Sequence, residues 1–154
     1  MVRPTCAELS AVQHHGEVVT AAPQTQVAFV IRAAVDDDLN FVRSTWMKSL
    51  QVPPPSWPAA MRVRDRLLDR CPPIVASLDG VPTSVIAWAC FEPDIIHFVF
   101  TRERWQRQGL ATALLEPFAD KPTVMYTHQT PCLRFMPLPR GWIYNPYEVE
   151  RGEP

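Results

Sequence analysis

The sequence predicts an α/β (α+β) fold: a mixed, mostly antiparallel central sheet flanked by helices. Two observations carry this prediction. Short β-rich runs alternate with apolar stripes of helical spacing, in the order strand, helix, helix, three strands, helix, strand, short irregular piece, strand. A three-strand meander then leads into a strand–helix–strand crossover, and such a crossover is what returns a chain parallel to its previous strand. With 154 residues, 47% of them apolar, the chain suits one core without covalent staples.

Residues 1–26 show no clean period and hold few large apolar groups, so they read as a loosely ordered N-terminal arm, with Val18-Val19 as a candidate edge strand. A single domain is expected over 27–148, and a frayed polar tail over 149–154. The domain opens with a β-rich run at 27–32. Asp36-Asp37-Asp38 follows, and acidic side chains favour a helix start, where they accept bonds from free N–H groups and meet the dipole. Leu39, Val42, Trp46 and Leu50 then recur at helical spacing until Pro53 ends the helix. Ser56 is the candidate cap of a second helix, with Pro58 in its first turn. Its stripe is Ala60, Val63 and Leu67. The remaining Arg62, Arg64, Asp65, Arg66, Asp69 and Arg70 read as a solvated face laced with ion pairs, or as a basic wall for an acidic substrate.

Pro72-Pro73 stops that helix. Ile74–Leu78 is a short strand, Asp79-Gly80 a turn signal, and 85–91 a strand apolar on both faces and therefore central. Glu92-Pro93-Asp94 turns the chain into a fourth strand, Ile95–Thr101. A helix opens near Gly109, with Leu110, Leu114 and Phe118 on one stripe, which predicts a helix over 109–118. A fifth strand is expected at 123–127. The prolines beyond it forbid a long helix but allow a short turn at 132–136, before a last strand at Trp142–Tyr144.

Charged residues are 20% of the chain and the formal net charge is −1, which gives no general attraction for nucleic acid or an anionic membrane. Cys6, Cys71, Cys90 and Cys132 form no CxxC pair, so they read as reduced structural thiols. His14, His15, His97 and His128 show no paired ligand spacing, and no metal is expected. No apolar stretch reaches transmembrane length and no secretory leader is visible, so the expected location is the cytoplasm.

The chemistry is expected where the fourth strand runs into the loop at 106–111. A strand–loop–helix junction leaves backbone N–H groups without internal partners, aimed at a common point beside the positive end of the helix dipole. Such a point suits a phosphate. Gly109 keeps the backbone open there, Ala111 keeps the wall low, and Arg107, Arg102 and Arg104 can add formal charge.

Gln106-x-x-Gly109-x-Ala111 after a β-strand resembles the (Arg/Gln)-x-x-Gly-x-(Gly/Ala) signature of the GCN5-related N-acetyltransferase (GNAT) superfamily. The surrounding element order over 27–127 is similar to that family's layout. The resemblance implies a splay between the fourth and fifth strands that holds the pantetheine arm of acetyl-CoA, the cosubstrate. The arm would pair with the backbone of Phe98, Val99, Phe100 and Thr101. The pyrophosphate would meet the loop of Gln106, Arg107, Gln108, Gly109, Leu110, Ala111 and Thr112.

The activity implied is acetyl or short-acyl transfer from CoA to an amine by direct attack. The amine must lose its proton to attack, so a base is needed, and the leaving thiolate gains from an acid. His97 is the first candidate base, because an imidazole titrates near neutrality; on regular alternation it shares a face with Ile95 and Val99. His128 is the second. The acid candidates are Tyr144, then Tyr147 and Tyr126. The family often places a carboxylate base on the fourth strand, where this chain offers Glu92 and Asp94 only at the beginning. The string Gly141-Trp-Ile-Tyr-Asn-Pro-Tyr147 is also similar to the ending of small acetyltransferase-like proteins, several of them phage-encoded, for which the location is the host cytoplasm. A second function class, a non-catalytic CoA-binding or protein-interaction module on the same fold, remains open, as does the choice between monomer and homodimer.

Overall fold

The computed structural model describes residues 26–135 and 138–150, without the side chains of Phe135 and Glu150. Cys6, His14, His15, Val18-Val19 and the rest of 1–25, together with Met136, Pro137 and 151–154, lie outside the described residues.

Six strands form one sheet in chain order. β1 (Phe29–Ala33), β2 (Ile74–Leu78), β3 (Val81–Glu92) and β4 (Ile95–Thr101) pair antiparallel in succession. β5 (Val124–Tyr126) runs parallel to β4, and β6 (Trp142–Tyr144) parallel to β5. This is the mixed, mostly antiparallel sheet the sequence predicts, and β2, β4 and β6 have the expected bounds. β3 begins earlier than expected, because Gly80 at φ +72 closes a tight turn that pairs Leu78 with Val81.

Helices cover both faces. α1 (Asp36–Ser49) and α2 (Trp57–Arg70) lie on one; α3 (Leu110–Leu114) and α4 (Pro131–Phe135) lie on the other. The start of α1 depends on Asp38, whose carboxylate accepts the Val35 N–H at 2.8 Å and takes the Arg32 guanidinium through two bonds of 2.6 and 3.1 Å. Ser56 makes no side-chain cap bond at α2; a 3-10 turn, Pro54–Ser56, leads into that helix instead. The solvated-face reading of α2 fails at Arg64, which is buried and donates to Asp65 and to the Arg43 carbonyl.

The expected helix over 109–118 is broken. α3 ends at Leu114 and a 3-10 turn, Glu116–Phe118, replaces its continuation. Pro117 is the cause: it has no N–H for the Ala113 carbonyl, and its ring would clash there in an α-helix. Leu114 and Phe118 are both still buried against the sheet.

The α1–α2 face is held by aromatic stacking. Trp46, Trp88 and Phe98 are fully buried, with ring centroids 4.6 to 5.6 Å apart, and Trp88 Nε1 donates to Thr45 Oγ1 at 2.9 Å. The opposite core joins Ile96 and Val99 of β4 to Leu110, Leu114 and Phe118. Ring stacking and buried area together make each of these large side chains worth several kcal/mol, about 3–5 for a tryptophan.

Candidate active site

β4 and β5 pair over two residues only, Ile95 with Met125 and Ile96 with Tyr126. Met125 N–H donates to the Asp94 carbonyl and Thr127 N–H to the Ile96 carbonyl, each at 3.0 Å. β5 then ends, while β4 continues to Thr101. From His97 onward β4 therefore has no strand on that side. α4 lies against it there.

Two cavities flank this segment. The first has a volume of about 500 Å³ and is lined by Thr101, Trp105, Gln106, Arg107, Gly109, Leu110, Ala111, Thr112, Pro131 and Cys132. Most of the expected phosphate loop is therefore on its wall. Arg107 and Gly109 both have left-handed backbones, at φ +62 and +79, so the loop turns sharply on either side of Gln108. The first bond inside α3 runs from Ala113 N–H to the Gly109 carbonyl at 2.9 Å, which leaves the N–H groups of Leu110, Ala111 and Thr112 without intrahelical acceptors. A Cβ at Gly109 would meet nothing within 4 Å; the glycine is required by its backbone angle and not by neighbouring atoms. Gln106 Nε2 donates to the Thr101 carbonyl at 3.4 Å and ties the loop to the end of β4. Of the three arginines, Arg102 sits over the Phe41 ring at 4.4 Å and Arg104 over Trp105 at 5.4 Å, while Arg107 lines the cavity. The Thr101 hydroxyl is buried beside the Cys132 thiol.

The second cavity, about 250 Å³, is lined by Ser49, Leu50, Phe98, Thr127, His128, Gln129, Thr130, Arg134 and Tyr144. It contains His128 and Tyr144. His97 and Tyr147 line neither cavity: His97 is fully buried, and Tyr147 is 81% exposed. Tyr126 packs its ring 5.5 Å from that of Tyr144.

Regular alternation along β4 does not hold at His97. Cys90 pairs with Phe98 and Phe91 with Ile96, so His97 is the extra residue of a β-bulge. Ile96 and Val99 face α3, Phe98 faces α1 and α2, and the His97 ring turns to Glu92 near the end of α2. The expected face shared by Ile95, His97 and Val99 is thus broken by the bulge. The carbonyls of Ile96 and His97 both turn to Thr127, which accords with the same distortion.

The bulge places His97 in a continuous polar chain. Its Nε2 lies 2.8 Å from Glu92 Oε1 and its Nδ1 lies 3.1 Å from Thr127 Oγ1. Thr127 Oγ1 in turn lies 2.8 Å from His128 Nδ1. Glu92 also pairs with Arg70 at 2.8 Å. Burial works against the charge on Glu92, but the His97 bond and Arg70 outweigh it and hold the carboxyl below its ordinary range. The Cys71 thiol is lowered to about 5, first by the Cys90 thiol and then by His97 and Arg70, against burial. The ligand atoms of Cys71, Glu92 and His97 lie within 4.8 Å of one another. His128 is lowered to about 4, first by burial and then by the charge of His97. Trp46 meets His128 edge-on at 5.5 Å and Phe98 lies 5.6 Å from it, which accounts for that burial.

Sequence reasoning did not find Thr127, Arg134 or Cys132. Thr127 was legible only as the end of a strand, and its neighbours come from segments 30 residues away. Among the described residues no helix is long and apolar enough to cross a membrane.

No protein-family model matches the chain, and no curated protein matches it in sequence. Solved structures to which the chain is similar include a GCN5-related N-acetyltransferase from Rhodopseudomonas palustris, at 15% identity and a TM-score of 0.46, over 62% of this chain and 66% of the other. A GNAT-family N-acetyltransferase from Escherichia coli, in complex with CoA, is similar at 18% identity and a TM-score of 0.45, over 62% and 57%. A protein from Xanthomonas campestris pv. campestris described as belonging to the GNAT family is similar at 13% identity and a TM-score of 0.40, over 76% and 72%. The match spans less than two thirds of the first two of these chains.

Proposed function

We propose that this chain is a GNAT-type N-acetyltransferase that moves an acetyl or short acyl group from CoA to an amine. One observation carries the reading: β5 stops after a two-residue pairing and leaves the far half of β4 without a strand partner, beside a cavity walled by the 106–112 loop. A pantetheine arm is a narrow chain with amides, and an unpaired strand edge offers amide partners along its length. The diphosphate end suits the free N–H groups at the start of α3 and the Arg107 guanidinium.

In this reading the backbone of 98–101 holds the pantetheine, and the loop from Gln106 to Thr112 holds the pyrophosphate. The amine acceptor enters through the second cavity, where His128 and Tyr144 stand. A β4 amide beside the bulge would stabilise the oxyanion of the tetrahedral intermediate. Tyr144 is the acid nearest the acceptor side; Tyr147 stands far more exposed. The same slot without turnover, a CoA-binding module, is the second reading, favoured by the burial of His97 away from either cavity.

Calorimetry with CoA and with acetyl-CoA tests the binding, and release of free CoA thiol in the presence of primary amines tests the transfer. Thr112→Glu places a carboxylate at the loop on an exposed position. It is expected to weaken CoA binding roughly tenfold or more while leaving stability unchanged or slightly raised, since an acid near a helix start is favourable. CoA binding with no amine-dependent thiol release would favour the module; no heat with CoA would sink both readings.

A further inference from the structure

We propose that Glu92, His97, Thr127 and His128 form a proton relay that carries the acceptor's proton from the second cavity to a buried imidazole. The inference rests on the acetyl-transfer reading above and supplies the base that reading needs.

The tautomers follow from the acceptor at one end. The Glu92 carboxylate can only accept, so His97 Nε2 carries the hydrogen of their 2.8 Å bond. In the neutral ring Nδ1 is then a lone-pair acceptor, and the Thr127 hydroxyl donates its one hydrogen to it across 3.1 Å rather than to the His97 carbonyl at 3.5 Å. Thr127 Oγ1 has only lone pairs left for His128, so His128 Nδ1 carries the hydrogen of the 2.8 Å bond between them. That leaves His128 Nε2 unprotonated on a residue that lines the second cavity.

The transfer balances. The acceptor ammonium gives its proton to His128 Nε2, and His128 Nδ1 releases its own to Thr127. Thr127 passes its hydroxyl hydrogen to His97 Nδ1, and the free amine is left with its lone pair for the thioester carbon. The hydroxyl is restored, His128 is again neutral, and the charge rests on His97 against Glu92. His128 alone is a poor resting place for a proton, because it is buried between Trp46 and Phe98. The Glu92 carboxylate, bonded to Nε2 of His97 at 2.8 Å, faces the proton that arrives at Nδ1 across the ring. Around His97 stand the Glu92 carboxylate, the Cys71 and Cys90 thiols, the Arg70 guanidinium and the His128 ring.

Nitrogen-detected NMR of the free protein at neutral pH reads the tautomers without CoA or acceptor. The relay predicts hydrogen on Nε2 of His97 and on Nδ1 of His128. Hydrogen on Nε2 of His128, or a metal on Nε2 of His97 after purification without chelator, would overturn it. Turnover is then measured with acetyl-CoA and the primary amine that releases thiol fastest. Thr127→Val is expected to lower kcat roughly 100-fold with CoA affinity unchanged, and Thr127→Ser to restore it to within about threefold. Glu92→Gln is expected to move the acid limb of kcat/KM to lower pH. Unchanged kcat in Thr127→Val also sinks the relay. Absence of CoA binding sinks the acetyl-transfer reading, and the two tautomers then decide whether the chain of bonds itself stands.

Discussion

Asp38 shows how much one side chain can fix. It accepts the Val35 N–H at the start of α1 and the Arg32 guanidinium from β1, and is 5% exposed. Arg32 also donates to the Pro82 carbonyl at 2.8 Å, so the pair ties helix, edge strand and hairpin together. The hydrogen bond from Arg32 outweighs burial and holds the Asp38 carboxyl below its ordinary value. A carboxyl depressed in the folded state stabilises fully above its unfolded value, about pH 4, and that stabilisation is lost as pH falls through and below it. Asp38→Ala is expected to cost about 2 kcal/mol at neutral pH. Urea unfolding of both proteins at about pH 6 and about pH 2.5 should show the difference shrink in acid; a gap independent of pH would separate the carboxylate from the effect. The acidic run that marks this helix start was legible in the sequence, but which of three aspartates would act was not. Only Asp38 lies three residues after Val35, within reach of Arg32 across the strand end.

At the level of elements, periodicity located the strands and the long helices, because apolar alternation and stripes report burial directly. It failed at two places for physical reasons. Pro117 cuts a stripe that still looks helical, since Phe118 stays buried in a tighter turn. The bulge at His97 has no compositional mark; it exists only in the pairing of two strands. β6 illustrates a third kind of constraint. Gly141 stands before it at φ +97, and a Cβ there would come within 2.1 Å of the Pro122 carbonyl oxygen. Its own carbonyl accepts the Val124 N–H at 3.2 Å, which pins β6 to β5. Gly141→Ala is therefore expected to cost about 3 kcal/mol or more, through backbone clash and left-handed strain together. Thermal unfolding checks it, and loss of the second cavity should accompany it because Tyr144 rides on β6.

Across the whole molecule, the two cavities differ in chemistry and share α4 and its approach. The first takes Pro131 and Cys132 from α4, and the second takes Thr130 and Arg134. A cosubstrate and an acceptor bound in them would meet beside β4. Among the described residues, the lining of the second cavity contains an arginine and no carboxylate. If it receives the amine, acceptors that also carry a carboxylate or phosphate should exceed polyamines roughly tenfold in kcat/KM, and Arg134→Gln should remove the preference. A panel of amino acids, aminoalkyl phosphates and polyamines measured by thiol release decides this; a faster reaction with polyamines would contradict it. The loop at 106–111 stood out in the sequence because the pattern that marks it is local to six residues. The second cavity did not, since it gathers α1, β4, the segment after β5, α4 and β6.

The one surplus residue in β4 stands outside the parity of the strand on either side of it. Because side chains alternate, excising His97 as a codon-sized deletion would join Ile96 directly to Phe98 and leave Phe98 to Thr101 on their present faces and opposite their present β3 partners, whereas excising Val99 would exchange the faces of the residues after it. A gene shortened at this codon should therefore keep the fold and lose the polar chain, while one shortened at codon 99 should lose the fold.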